Sequence, residues 1–195
     1  MRSARMLCVA MFCLASAMLA QKVEQGKAAT GMPTLSSAID KEISNLENQF
    51  VAAVEAMPED KFNASPEDLN LAGSQFKGVR TFATQVRHVA ADNFAIWAPL
   101  TGKPEPAGIN APNGPEEMKN RAEILKFLKD SFSYSHQAVS SLTSENALGT
   151  VEFRGRKVTR ISLVVLALTH ISDHYGQMVE YLRMNGIVPP ASRPR

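Results

Sequence analysis

A chain of 195 residues, 45% hydrophobic and 21% charged, has the length and balance of one globular domain with its own core. Lys and Arg number 21 against 19 Asp and Glu, a formal charge of +2, and nothing repeats at a period of roughly 20–50 residues. The charge gives no electrostatic ground for a nucleic-acid partner, and the lack of a repeat speaks against a solenoid.

Residues 1–20 read as a signal peptide. Arg2 and Arg5 precede the uncharged apolar run MLCVAMFCLASAMLA, and Ala15, Ser16 and Ala17 form the small-residue pattern of a cleavage site. Cleavage is expected after Ala17 or a few residues later. The run is short for a membrane span, so an uncleaved anchor is the weaker alternative. An exported domain, periplasmic or extracellular, would follow. It would lose Cys8 and Cys13 and so carry no disulfide or thiolate ligand, and the loss of Arg2 and Arg5 would leave 19 charges of each sign.

Residues 21–35 are polar, with Gly26, Gly31 and Pro33, and read as a flexible leader. A bundle domain is expected over 36–190. Its first helix carries Ile39, Ile43, Leu46, Phe50, Val54 and Met57 at steps of three and four, and Pro58 ends it. After a Pro- and Gly-broken segment, a second helix is predicted over 79–100, with Val79, Phe82, Val86, Val89, Ala90 and Trp97 as its apolar face. A dense Pro/Gly loop leads to a third helix over about 115–142, where Pro115 suits a first helical position and Glu116 and Glu117 suit a helix N-terminus. Leu125, Leu128, Phe132, Val139 and Leu142 form its inner side, and His136 falls on an all-polar face with Lys129, Ser133 and Ser140. A short hairpin fits 150–158. The fourth helix starts at the cap Thr159 and stops near Met184, before Gly186 and Pro189. Four long amphipathic helices predict an all-α four-helix bundle.

The fourth helix has two stripes. The more apolar is Ile161, Val164, Val165, Leu168, Ile171, Tyr175, Val179 and Leu182; the other is Leu163, Ala167, His170, His174, Gln177 and Tyr181. The second helix has a matching small and polar stripe, Thr81, Gln85, His88, Asp92 and Ala95, almost opposite its apolar face. If these two stripes face each other, three imidazoles meet. Histidines four apart project from one helix face, and neutral imidazoles bind Zn, Ni, Cu or Fe(II). A third nitrogen would complete a set with open positions for water or substrate. Each ligating ring needs an acceptor on its other N–H. Asp92, one turn from His88, and Asp173, beside His174, are the sequence candidates, although Asp173 points somewhat away.

The bland reading stays open on periodicity alone. A His-x-x-x-His pair is common on helices, and the stripe holding His88 has the composition of a solvated face. The stretch HISDH is not a zinc-protease helix, because Ile171 occupies the general-base position. No G-x-S-x-G elbow and no glycine-rich phosphate loop is present.

The stretches VRTFATQVRHVAADN and THISDHYGQMVEYLRMNGIVPPASR resemble the second and fourth helices of the DinB-like superfamily, and MPEDKF resembles its loop after the first helix. The similarity runs from about Ile39 to Arg193, and its most specific part is the H-x-x-x-H-x-G-Q pattern at His170, His174, Gly176 and Gln177. The resemblance implies an up-down-down-up bundle, often a homodimer. It implies a divalent metal, usually Zn or Ni with Fe and Mn as further options, on His88, His170 and His174. Asp92, Asp173 and Gln177 become supporting or catalytic candidates. Known activities in the family include thiol-dependent S-transferases and isomerases, and hydrolases. An exported member would meet little cytosolic thiol, which favours hydrolysis over transfer on an unknown small substrate. The alternative is a non-catalytic metal-binding or partner-binding bundle of the cell envelope.

Overall fold

Each helix is cut where its end residues dictate. Thr34 Oγ1 accepts from the Ser37 N–H and opens α1 (Leu35–Ala56). Thr81 does the same from Thr84 for α2 (Phe82–Thr101), which Gly102 closes in the left-handed conformation, φ 67°. Asn120 caps α3 (Arg121–Val139), and Thr159 caps α4 (Arg160–Met184). The computed structural model describes residues 31–106, 109 and 112–194. The signal peptide expected over 1–20 and most of the leader expected over 21–35 lie outside the described residues. Among the described residues no helix is long and apolar enough to cross a membrane.

The predicted start of α3 at Pro115 is corrected to Arg121. The Pro115 carbonyl accepts a hydrogen bond from Arg87 Nη1 at 2.7 Å, so residues 112–115 run along α2, and Asn120 supplies the first side-chain cap. Helix α2 begins three residues later than Val79, which lies outside it and is exposed.

Between α3 and α4 the expected hairpin forms: β1 (Thr150–Phe153) pairs antiparallel with β2 (Arg156–Thr159). Arg154 and Gly155, at φ 48° and 74°, make the two-residue turn with both central residues left-handed, the geometry that matches strand twist.

Helix α2 packs on α3 and α4, and α1 packs on the same two. The order around the bundle is therefore α1, α3, α2, α4, with α1 and α2 across a diagonal, and not the sequential ring of a simple meander. Trp97, Phe50, Phe62, Phe82 and Phe132 fill the centre, each buried to within 1%. Two short 3₁₀ turns, Glu59–Lys61 and Pro66–Leu69, occupy the long α1–α2 connection, and a third lies at Pro190–Ser192.

Three burial expectations change. Helix α2 has almost no solvent face: 16 of its 20 residues are buried, including Gln85, Arg87 and His88. A helix covered all round belongs to the interior, and here α3, α4 and β1 surround it. On α4 the apolar stripe is not the deepest one. Val165 is exposed and Leu168 half-buried, whereas Leu163, Ala167, His174 and Tyr181 are buried. Because α4 touches both α1 and α2, its buried sector spans both stripes. His136 is also not on a solvated face. It is half-buried against α1, between Asp40 and Glu47.

Candidate metal centre

The residues of the site come from two facing helices and one loop. His88 lies in the N-terminal half of α2, and His170 and His174 stand one turn apart on α4, so the two stripes do face each other. The ring centroids are 5.1 Å (His88–His170), 4.8 Å (His88–His174) and 4.5 Å (His170–His174) apart. One nitrogen from each ring lies within 4.8 Å of the others, a grouping with the dimensions of a cation site. His88 and His174 are buried and His170 is half-buried.

Protons define what this cluster can hold. The Nδ1 of His88 bonds the Pro112 carbonyl. A carbonyl only accepts, so Nδ1 carries the proton and Nε2 presents its lone pair. That Nε2 is 3.2 Å from His170 Nε2. The Oδ2 of Asp92 is 3.2 Å from His170 Nε2 and 3.8 Å from His88 Nε2. Three potential acceptors thus converge where one proton, on His170 Nε2, is the most that neutral rings can supply. In addition, His170 Nδ1 and His174 Nδ1 are buried with no hydrogen-bond partner among the described residues. Orphaned buried groups of this kind each cost about 1–3 kcal/mol.

Adding protons does not relieve the crowding. Burial lowers the pKa of His88, and the charge of Arg80 and the neighbouring His170 add to this, against the opposing Pro112 bond and Asp92. For His174, burial first, then the charges of His170 and His88, lower the value to about 4. Burial works against ionisation of Asp92, but the bond and charge of His170, with His88 and Arg154, outweigh it and hold its pKa low. At neutral pH His88 and His174 are neutral imidazoles beside the Asp92 carboxylate, and with His170 they make a donor set suited to a divalent transition ion. Two nitrogens each about 2.0–2.1 Å from one ion lie about 3.3 Å apart at a tetrahedral angle, close to the His88–His170 separation. The residues present fit a metal.

The remaining sequence candidates fall differently. Asp92 is not the acceptor behind His88, a place taken by Pro112; it lies on the Nε2 side. Its other oxygen, Oδ1, accepts from Arg154 Nη2 at 2.9 Å. Gln177 accepts from Gln85 at 2.8 Å and donates to exposed Asp173 at 2.9 Å, and no hydrogen bond among the described residues joins either Gln177 or Asp173 to a ring. Sequence reasoning missed Pro112 and Arg154. The Arg-Gly turn marks a hairpin tip, but nothing local says which helix that tip meets.

Space adjoins the cluster. A cavity of about 760 Å³ is lined by His88, Asp92, Ala95, Ile109 and Arg154 among others, within the size range of small-molecule sites. A second, of about 630 Å³, lies against Gln85, Gln177, Arg80 and Tyr181, whose hydroxyl donates to the Arg80 carbonyl at 2.6 Å.

The fold and the sequence point the same way among known proteins. A DinB-like protein from Bacillus cereus superposes with a TM-score of 0.64 at 14% identity, covering 80% of this chain and 96% of its own. The DinB-like protein YjoA from Bacillus subtilis gives 0.61 at 18% identity, covering 81% and 99%. No curated protein matches significantly. The family model of the DinB superfamily matches residues 42–178, which include all three histidines, the whole of α2 and most of α4, and the chain belongs to that superfamily.

Proposed function

We propose that this chain is an exported, metal-dependent member of the superfamily in which His88, His170 and His174 hold one divalent ion, Zn or Ni, beside a cavity that admits a small substrate. The observation that carries the reading is the inward lone pair of His88 Nε2, fixed by Pro112 and aimed at His170 and Asp92. A bound ion of this type supplies Lewis acidity and lowers the pKa of water. The protein's own part is orientation and exclusion. Helices α2 and α4 hold the rings, Pro112 sets the tautomer of His88, and the walls of the larger cavity, including Ala91, Ala95 and Ile109, keep an apolar side against the substrate. Asp92, low in pKa, stands at the cavity wall as an anionic group beside the reacting atoms.

Hydrolysis fits this reading better than thiol transfer, because export would remove the protein from cytosolic thiols. Support for export is the charged and apolar pattern of residues 2–20. A homodimer belongs to the same proposal, and light scattering that shows a monomer at micromolar concentration would remove it.

Metal analysis of protein purified without a histidine tag tests the site. About one equivalent of Zn or Ni per chain is expected, lost in His170→Ala. A screen of esters, amides and thiol conjugates with Zn- and Ni-loaded protein tests the chemistry. Turnover that survives His170→Ala would take the metal out of the mechanism, and metal-free protein from a metal-replete preparation would take away the site.

A further inference from the structure

The position of Asp92 carries more than a supporting role. A carboxylate behind a ligand ring would contact the ring's outer nitrogen. Asp92 does the opposite. Its Oδ2 lies on the same side as the two Nε2 atoms, 3.2 Å from His170 and 3.8 Å from His88, while those two nitrogens are 3.2 Å apart. The three atoms make a triangle whose edges are those of a coordination polyhedron with bonds of about 2.0–2.2 Å. Its other oxygen is occupied: Arg154 Nη2 holds Oδ1 at 2.9 Å. Arg154 itself is set by the hairpin turn, and its guanidinium lies 5.0 Å from the centre of the Phe153 ring. The carboxylate is therefore turned with one oxygen toward the histidines and the other toward the hairpin.

We propose that Asp92 is a fourth ligand, presenting Oδ2 alone to the ion bound by His88, His170 and His174, and that Arg154 is the positioning residue that keeps it monodentate. This rests on the metal reading above. It makes the centre three nitrogens and one oxygen, and it ties the hairpin between α3 and α4 to the metal site. The same pairing offsets the negative charge of Asp92 when no ion is present.

Cobalt(II) substitution reads ligand identity directly. The chain without a histidine tag is titrated with Co(II), alongside Asp92→Cys, Asp92→Asn, Arg154→Asn and Arg154→Lys, with circular dichroism to verify that each is folded. Asp92→Cys should bring a thiolate-to-cobalt charge-transfer absorption in the near ultraviolet, absent from the wild type. Asp92→Asn should weaken binding at least about 10-fold and change the visible cobalt spectrum. Asn tolerates the left-handed turn position, so Arg154→Asn should keep the hairpin, weaken binding several-fold and alter the visible spectrum as the carboxylate turns, with partial recovery in Arg154→Lys.

The outcomes separate the two claims. Wild type that binds no Co(II) or Zn(II) overturns the metal site itself. Wild type that binds, with an unchanged spectrum and affinity in Asp92→Asn and no charge-transfer band in Asp92→Cys, leaves the three-histidine site standing and overturns the fourth ligand. Weaker binding by Asp92→Asn with the wild-type spectrum also overturns it, because an outer carboxylate moves affinity and not ligand count. An unchanged affinity and spectrum in Arg154→Asn overturns the positioning role.

Discussion

His136 shows how one residue can join two helices and make their contact depend on pH. Its Nδ1 is 2.6 Å from Asp40 Oδ1 and its Nε2 is 3.1 Å from Glu47 Oε2, so α3 is pinned to two points on α1. Burial lowers its pKa, but the hydrogen bonds and charges of the two carboxylates outweigh burial and raise it. A value raised on folding means that the stabilisation is fully present below the unfolded value of about 6.5 and is lost as pH rises through the higher folded value. His136→Gln should therefore cost about 1 kcal/mol near pH 6. In urea unfolding the gap to wild type should be smaller at pH 9 than at pH 6. An equal gap at both pH values would remove the ionic account. The sequence placed His136 among Lys129, Ser133 and Ser140, and that polar surround is why it looked exposed. Its carboxylate partners lie about ninety residues earlier on another helix, beyond the reach of a local pattern. The same limit held His88 open between ligand and solvated face, whereas the four-residue spacing of His170 and His174 was local and legible.

At the scale of elements, the loop between α2 and α3 is as much a part of the site as the helices. Arg87 Nη1 bonds Pro115 O, Arg80 Nε bonds Asn113 Oδ1 at 2.8 Å, and His88 Nδ1 bonds Pro112 O, so residues 112–115 are strapped to the N-terminal half of α2 and the segment that leads into it. The strap passes so close that Gly114, at φ 68°, has no room for a side chain: a Cβ there would lie 2.8 Å from the Arg87 carbonyl oxygen. Gly114→Ala meets both a left-handed backbone and a backbone atom that cannot yield without moving α2. A loss of about 2–3 kcal/mol is expected, with weaker Zn binding as Pro112 shifts from His88. Gly73→Ala is the matched control, with φ 80° and open space, and should cost about 1 kcal/mol with unchanged Zn binding. Equal losses in the two variants would mean that the close approach carries no energy. Caps such as Thr159 and Thr81, and the hairpin turn, follow from nearest neighbours, and the sequence marked the first of these directly. The start of α3 was misplaced because Pro115 satisfies the local rule for a helix start while its carbonyl is committed to Arg87, a long-range contact.

For the molecule as a whole, the question is whether the metal builds the fold or occupies it. The core is built without the three histidines: Phe50, Phe132, Trp97 and Leu128 are fully buried within the bundle, and each helix carries its own apolar face. Periodicity made that much legible, and with it the all-α class. It could not give the order α1, α3, α2, α4, because a buried face says that a helix has a partner and not which one. That order is what brings α2 against α4 and the three imidazoles together. Without an ion His88 and His174 are neutral near pH 7, and the charge of Asp92 is paired with Arg154 and faces His170, so the metal-free centre carries no uncompensated buried charge. The folded bundle should therefore survive chelation, unlike a zinc finger. An ion free at about 100 times its Kd adds about 2.7 kcal/mol, equivalent to roughly 5–10 °C for a domain of this size. Chelator added to Zn-loaded protein should lower Tm by that amount with helical circular dichroism retained, and should leave the Tm of His170→Ala where it was. Collapse of the helical signal on chelation would show that the four apolar faces do not suffice and that the ion is a structural member of the bundle.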